Sequence, residues 1–184
     1  MNENYAHPEM PIGVENDILK GMYLLSEGNK KSSEELCVQL LGAGTILREV
    51  IAAAEILKNE YNVNADIWSV TSFNELRREA LSVIRWNMLH PVQPAKVSHV
   101  ESCLKEREGP VVAATDYMKI YADQIREFVP GKYRVLGTDG FGRSDTREKL
   151  RHFFEVDRYY ITVAALKALS EEGKISSQQI VQAI

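Results

Sequence analysis

The sequence predicts a three-layer α/β domain, with helices on both faces of a mostly parallel sheet of four to five strands. Short apolar runs alternate with stretches of helical periodicity, which is typical of right-handed strand-helix-strand units. The run at 36–41 is apolar-rich without strict alternation, as expected for a strand buried on both faces. The 184 residues, 45% hydrophobic and 26% charged, suffice for one full core.

The first part of the chain is predicted to be an arm. Residues 1–13 carry two prolines and show little periodicity, which indicates a linker or an extended segment. Apolar residues recur at helical spacing over 15–25, so a short amphipathic helix is predicted there. The polar run 26–35 is interpreted as an exposed loop. We therefore divide the chain into an arm with a short helix, 1–35, and an α/β domain, 36–184.

The domain is predicted to alternate strands and helices from position 36 onward. The predicted strands are 36–41, 66–70, 111–114 and 133–136. A helix follows each strand, one more is predicted over 97–107, and two more end the chain. Residues that can cap helices precede most of them, and the predicted caps are Thr45, Ser72 with Glu75, Asp116, Asp145 with Glu148, Asp157, and Ser176 with Gln179.

A polar loop with two glycines follows the predicted strand at 133–136. Loops at the carboxyl ends of parallel strands often carry function, so this loop is our first candidate contact surface. Its candidate residues are Asp139, Phe141, Arg143, Ser144 and Asp145. The loop matches neither a dinucleotide fingerprint nor a P-loop. We favour packing against a neighbouring domain or subunit, and a small-molecule site is the alternative.

A second candidate surface is the segment at 85–91, RWNMLHP, which is predicted to be a connecting loop. Its candidate residues are Arg85, Trp86, Asn87 and His90. Exposed apolar groups in a loop indicate an interface. His90 as an acid or base is a weaker alternative, because such a role needs a positioned partner. The Gly-Ala-Gly turn at 42–44 could receive an anion, but a tight strand-to-helix turn needs the same glycines and is the favoured interpretation.

Composition argues against several classes of function. The net charge is −4 with mixed signs and no basic stripe, so we expect no nucleic-acid partner. Cys37 and Cys103 are expected to be buried thiols, and the four histidines show no metal-ligand spacing. No apolar run reaches membrane-spanning length, so we expect no membrane partner and a cytoplasmic location.

The chain resembles one family over nearly its whole length, the homodimeric, thiamine-diphosphate-dependent first component of pyruvate dehydrogenase. The segments that carry the resemblance are MNENY, MPIGVENDILKGMY, LLGAGTILREVIAAAEIL, SVTSFNELRREA, RWNMLHP, ATDYMKIYADQIR, YRVLGTDGFGRSDTREKLRHFFEVD and VAALKAL. They are similar to the C-terminal third of these enzymes, which implies a transketolase-type C-terminal domain. Because the MNENY segment is internal in the family, Met1 is expected to be an internal methionine of a longer protein.

The resemblance implies that chemistry takes place outside this fragment. In the family, thiamine diphosphate and magnesium lie between the two preceding domains, and this sequence lacks the GDG-then-NN stretch that holds the metal. We therefore expect no catalytic, cofactor-binding or metal-binding residue here and no cofactor bound to the fragment. The implied partners are the remaining domains of the same component, its homodimer mate and the dihydrolipoyl acetyltransferase component.

Three functions are compared on this basis. The first is a C-terminal domain that supports dimer and complex assembly and is inactive alone. The second is a free-standing interaction module that docks to the acetyltransferase component through the two candidate surfaces. The third and weakest is an independent enzyme using His152 or His90. His152 follows helical spacing beside two phenylalanines, so a partly buried structural histidine is the favoured interpretation.

Overall fold

The chain forms a five-stranded sheet with helices on both faces. The computed structural model describes residues 6–29 and 35–184. The strands are β1 (Met22–Ser26), β2 (Cys37–Ala43), β3 (Asn64–Val70), β4 (Val111–Ala114) and β5 (Tyr133–Leu136). The helices are α1 (Glu15–Lys20), α2 (Leu47–Tyr61), α3 (Phe73–Leu89), α4 (His99–Leu104), α5 (Lys119–Asp123), α6 (Arg147–Phe153), α7 (Arg158–Glu171) and α8 (Ser177–Val181). The predicted arm and the predicted loop at 26–35 extend into residues 1–5 and 30–34, which lie outside the described residues.

The sheet has the order β1-β3-β2-β4-β5. The four strands β2 to β5 run parallel, and β1 pairs with β3 in the antiparallel direction. Strands β2 and β3 are buried at nearly every position, as the apolar run predicts for a sheet covered on both faces. The predicted fold class is confirmed.

The predicted helix over 15–25 is wrong beyond Lys20. Gly21 adopts a left-handed conformation with φ of 110°, and its N–H donates to the carbonyls of Asp17 and Ile18, which closes α1. A Cβ at this glycine would lie 2.6 Å from the Ser72 carbonyl oxygen, so close contact with the start of α3 also requires glycine. The chain then enters β1, and residues 22–26 belong to the sheet rather than to the predicted arm.

Alternate residues of the strands point to opposite faces of the sheet, and each face has its own apolar core. Leu40 packs in the cluster that α2 and α7 cover, together with Val50 and Leu166. Leu41, the next residue, packs in the cluster on the face that carries α3 and α4. The domain therefore has three layers, with the sheet in the middle.

The predicted caps are correct for three helices. Ser72 accepts from the Glu75 N–H, Asp157 accepts from the first N–H groups of α7, and Ser176 forms a capping box with Gln179. Three predicted caps are wrong. The N-cap residues of α2 and α5 are Ile46 and Met118, and neither makes a side-chain cap, so Thr45 and Asp116 do not have the predicted role. Helix α6 is capped by Thr146, one residue after the predicted Asp145.

Candidate functional site

The first candidate surface is the edge loop, residues 137–146, which leaves the carboxyl end of β5. Gly137 is the first residue of the edge loop. It has no room for a side chain, because a Cβ there would lie 2.7 Å from the Tyr117 carbonyl oxygen. The Thr138 hydroxyl donates to the Asp116 carbonyl at 2.6 Å, and Asp139 Oδ1 accepts from the Lys119 N–H at 3.0 Å. The edge loop is thus fixed to the β4–α5 connection, and Asp139 has the capping role at α5 that the sequence suggested for Asp116.

The tip of the edge loop is exposed. Phe141 has 95% of its surface accessible, although a phenylalanine gains free energy by burial. The guanidinium of Arg143 lies 4.0 Å from the centre of the Phe153 ring, a cation–π contact that holds the arginine against α6. Ser144 and Asp145 are exposed, and Asp145 Oδ1 accepts from the Thr146 N–H at 2.7 Å. The edge loop therefore exposes an aromatic ring and, two residues later, carries an arginine that packs on α6.

The second candidate surface is not the predicted connecting loop. Arg85 to Leu89 form the last turns of α3, and His90 follows as its C-cap. The helix continues because Pro91, not Trp86, is the first residue incompatible with it. His90 stacks on Trp86 with ring centroids 4.4 Å apart, and its Nδ1 lies 2.8 Å from the Trp86 carbonyl oxygen. Asn87 holds the return segment through two hydrogen bonds to the Lys96 backbone, at 2.8 and 2.9 Å.

These contacts change the interpretation of the RWNMLHP segment. Trp86, Asn87 and His90 fix the turn after α3, so they act mainly within the chain. Other residues of the same region are exposed and apolar, and we call them the α3 patch. The α3 patch consists of Leu81, Ile84, Met88, Leu89 and Val92, each at least 40% exposed. Leu81, Ile84 and Met88 share one helical face, because they are three and four positions apart. This spacing would have indicated the patch if the helix had been predicted to extend to Leu89.

The edge loop and the α3 patch are separate surfaces. Helix α3 starts at the carboxyl end of β3, and its 17 residues span about 25 Å. Its buried residues, Phe73, Leu76 and Ala80, all lie in the first half. The second half therefore extends away from the core. The edge loop instead follows β5, the strand at the edge of the sheet farthest from β1. The two sets of candidate residues do not form one site.

His152 is more exposed than the sequence suggested. Its side chain is 67% exposed, and Nδ1 lies 3.0 Å from Asp157 Oδ2. Oδ1 of Asp157 accepts from the N–H groups of Tyr159 and Tyr160, so this carboxylate is primarily a helix cap. A histidine and a carboxylate in contact resemble part of a catalytic triad, but this pair ties α6 to the start of α7.

The structure also contains a thiol beside an imidazole. Cys103 Sγ lies 3.7 Å from His99 Nε2, and the same nitrogen lies 2.9 Å from the Met22 carbonyl oxygen, to which it donates. Burial raises the pKa of the Cys103 thiol to about 11. The thiol is therefore protonated near neutral pH and is not an activated nucleophile. Neither cysteine forms a disulfide, and Cys37 is buried as expected, whereas Cys103 is only partly buried.

A polar network at the amino ends of β2 and β3 was not apparent from sequence. Gln39 is 1% exposed, and its amide donates to Asp66 Oδ2 at 2.9 Å while its carbonyl accepts from the Trp68 indole at 2.8 Å. Asp66 Oδ1 accepts from the Gly28 N–H at 2.8 Å, and Arg107 lies 3.4 Å from Asp66. Because these polar groups satisfy one another, the network holds the segment after β1 against the sheet.

The described part of the chain contains neither a cluster of metal ligands nor a helix that could span a membrane. Within residues 6–29 and 35–184, no three or more His, Cys, Asp or Glu side chains gather in a way that could hold a metal ion. None of the helices described there combines the length and the apolar character that a bilayer crossing requires.

Comparison with known proteins defines the class to which this fold belongs. Residues 21–157 match the family described as the transketolase-like TK C-terminal domain, and the chain belongs to that family. The structure of transketolase from Leishmania mexicana superposes with a TM-score of 0.56, covering 85% of this chain and 19% of that protein at 15% identity. At that identity the likeness concerns the fold alone.

Within this class, the chain has much higher sequence identity to pyruvate dehydrogenase E1 components. The chain is 60% identical to the pyruvate dehydrogenase E1 component of Pseudomonas aeruginosa over its whole length, which is 21% of that protein. It is also 60% identical to the pyruvate dehydrogenase E1 component of Cupriavidus necator, over all of this chain and 20% of that protein. The chain thus spans about a fifth of the relatives that it matches, rather than the predicted third.

Proposed function

We propose that this chain is the C-terminal supporting domain of a pyruvate dehydrogenase first component. The whole enzyme would decarboxylate pyruvate and transfer the acetyl group to lipoyl groups of the dihydrolipoyl acetyltransferase component. The observation that carries the proposal is the 60% identity to the Pseudomonas aeruginosa E1 component across the entire chain. The cytoplasmic location remains a prediction. The division into an arm, 1–35, and an α/β domain, 36–184, also remains a prediction, except that the sheet includes β1.

In this proposal the remaining domains bind thiamine diphosphate and magnesium. Thiamine diphosphate supplies an electron sink for the decarboxylation, and the protein around it supplies position and electrostatics. We assign magnesium to those domains because it needs a set of oxygen ligands, and the described part of this chain gathers no three or more His, Cys, Asp or Glu side chains that could hold a metal ion. The role that we propose for this chain is to support assembly.

The two candidate surfaces suit that role. The α3 patch exposes four apolar side chains on the second half of α3 and Val92 just after it, and the edge loop exposes Phe141. Exposed apolar groups of this size are typical of interaction surfaces. We propose that the two surfaces pack against the remaining domains of the same component and against its homodimer mate. The two surfaces share no residue, so they can contact different partners.

A chimeric enzyme tests the proposal. The segment of the Pseudomonas aeruginosa E1 component that matches this chain is replaced by this chain, and the decarboxylation of pyruvate is measured. We expect the chimera to be active and the enzyme lacking the segment to be inactive. A chimera that folds and forms dimers but does not decarboxylate pyruvate would contradict a supporting role. Calorimetry of the separate chain with thiamine diphosphate and magnesium should give no micromolar binding, and such binding would show that the cofactor site has been misplaced.

A second candidate function is a free-standing interaction module for the acetyltransferase component. The specific observation in its favour is the 95% exposure of Phe141 beside Arg143 in a fixed loop. The test is capture of this chain by the immobilised acetyltransferase component. Charge reversal in Arg143→Glu should weaken capture in a salt-dependent way if the contact is electrostatic. Arg77→Glu, at an exposed position of α3, is the matched control. Absence of capture would exclude this function.

A further inference from the structure

The second half of α3 exposes a stripe of apolar side chains with one charge inside it. Leu81, Ile84 and Met88 are exposed and are three and four positions apart, so they lie along one face of the helix over about 10 Å. Arg85 is exposed on the same side, because it lies four positions after Leu81 and four before Leu89. The exposed side of α3 is therefore an apolar surface with a guanidinium group in its middle.

Arg85 lies in a stretch of the chain without other charges. It is the only Asp, Glu, Lys or Arg residue from position 80 to position 95, and the carboxylates nearest to it in sequence are Glu79 and Glu101. Glu79 accepts a hydrogen bond from the His99 N–H at 2.9 Å and so faces the start of α4. In the part of the chain that the structure describes, no carboxylate forms an ion pair with Arg85.

The position of Arg85 restricts what can cover the apolar stripe. A surface that packs on Leu81 and Met88 must also take the Arg85 guanidinium out of water. Burial of a charge without a partner is costly, whereas a carboxylate on the covering surface would satisfy it. The occupant of this face must therefore be both apolar and acidic.

Two other occupants fit this requirement poorly. Two copies of this chain that paired through the face would bring one Arg85 toward the other, and residues 80–100 contain no carboxylate that could separate them. An anionic membrane is also disfavoured. The net charge of −4 opposes its approach, and a single arginine attracts such a surface only weakly.

We propose that the exposed side of α3 binds an amphipathic helix from outside this chain, whose apolar stripe is flanked by Asp or Glu. The side chains of α3 follow a heptad in which Leu81 and Met88 take position a and Ile84 takes position d. Arg85 then takes position e, which faces the charges at positions e or g of a paired helix. This inference rests on the assembly role proposed above, since the α3 patch is one of its two surfaces, and it adds the chemistry of the partner.

Two synthetic peptides are the probes for the test. Both are three heptads long with Leu at positions a and d, and one carries Glu and the other Lys at every position e and g. The like charges keep each peptide from pairing with itself. The 184-residue chain, labelled with ¹⁵N, is titrated with each peptide at low salt, and amide shifts are followed by NMR.

The Glu peptide should give saturable shifts centred on residues 81–92. The Lys peptide should bind about tenfold more weakly, because an attraction to Arg85 is replaced by a repulsion. Added salt should reduce the difference between the two peptides, since the charges are screened.

Variants of the chain separate charge from apolar contact. Arg85→Glu should reverse the preference, so that the Lys peptide binds more tightly, an effect that loss of structure cannot produce. Lys149→Glu is an equal charge change on α6, which packs with α2 on the other face of the sheet, and it should leave the preference unchanged. Ile84→Ser should weaken both peptides about tenfold, because an apolar contact in the stripe is lost. Val181→Ser, exposed on α8, should weaken neither.

Four results would each overturn the proposal. They are equal binding of the two peptides, an unchanged preference in Arg85→Glu, tighter binding to phosphatidylserine vesicles than to the Glu peptide, and self-association of the chain that Ile84→Ser abolishes. An active chimera together with equal binding of the two peptides would keep the assembly role and exclude an acidic helix as the partner. The two proposals can therefore fail separately.

Discussion

Glu49 on α2 accepts three hydrogen bonds from Arg158, the first residue of α7. The Arg158 backbone N–H and Nε donate to Oε2 at 3.1 and 2.9 Å, and a terminal guanidinium nitrogen donates to Oε1 at 3.2 Å. Arg151 of α6 donates to the same Oε1 at 3.2 Å. Because Glu49 is only 6% exposed, this carboxylate joins three helices at a largely dry contact.

Replacement of this carboxylate should destabilise the fold. Glu49→Gln leaves two guanidinium groups without their shared anion, and we expect the free energy of unfolding to fall by roughly 3 kcal/mol. Urea denaturation at pH 7 measures the change. Glu55→Gln, at an exposed position of the same helix, is the control and should alter the free energy by less than about 0.5 kcal/mol. Equal effects of the two substitutions would show that the ion pairs do not hold the helices together.

The same carboxylate predicts a pH dependence. Burial by itself raises the pKa of Glu49, but the hydrogen bonds and charges of Arg158 and Arg151 outweigh it and lower the pKa below the ordinary 4.5. A carboxyl group whose pKa is lower in the folded state contributes stability above its unfolded pKa, and loses that contribution as the pH falls through the folded value. The difference in unfolding free energy between the unaltered chain and Glu49→Gln should therefore be full at pH 7 and shrink below pH 4.5. A difference that grows with acidity would contradict this.

Two glycines with positive φ give a matched pair of backbone substitutions. Gly109 has φ of 87°, and a Cβ there would lie 1.8 Å from the Cys37 carbonyl oxygen. Gly131 has φ of 76° with no atom within 4 Å of a Cβ. We expect Gly131→Ala to cost about 1 kcal/mol from backbone strain alone. Gly109→Ala must also separate β2 from the turn before β4, so it should cost about 3 kcal/mol or more. Similar melting temperatures for both variants would show that the contact at Gly109 is not tight.

Phe141 provides a test of the edge loop as an interface. Because its ring is 95% exposed, Phe141→Ala should change the free energy of unfolding by less than about 0.5 kcal/mol. An aromatic anchor that becomes buried in a complex contributes much of the binding energy. The affinity of Phe141→Ala for the immobilised acetyltransferase component should therefore fall about tenfold if Phe141 lies in that interface. Val181→Ala, 71% exposed on α8, is the control. Unchanged capture in surface plasmon resonance would remove Phe141 from the interface.

The sequence was most informative where a local signal decides the structure. The apolar-rich run at 36–41 and the caps at Ser72 and Asp157 depend on neighbouring residues, and all were predicted correctly. Strand β1 was missed because Met22 and Leu25 continue the helical spacing of Ile18. Their true role depends on pairing with β3, more than 40 positions away, which no local pattern reveals. Only Gly21 indicated locally that the helix ends.

Candidate surfaces were harder to predict than elements. The edge loop was identified because glycines and charges follow a strand, and its position at the carboxyl end of β5 follows from that order. The α3 patch was predicted only in part. Trp86 and His90 were the predicted interface residues, but they contact each other and fix the turn after α3. The shared use of Glu49 by Arg151 and Arg158 joins residues about a hundred positions apart, so only the fold brings them together.

The second half of α3 buries none of its residues, so it should open more readily than the rest of the domain. A helical segment with few buried contacts opens at a lower free energy than the sheet does. Amide hydrogens from Leu81 to Leu89 should therefore exchange with deuterated water well before those of β2 and β3. When another surface covers this segment, its protection should rise while the sheet keeps the same exchange rates, so hydrogen exchange would locate the contact directly.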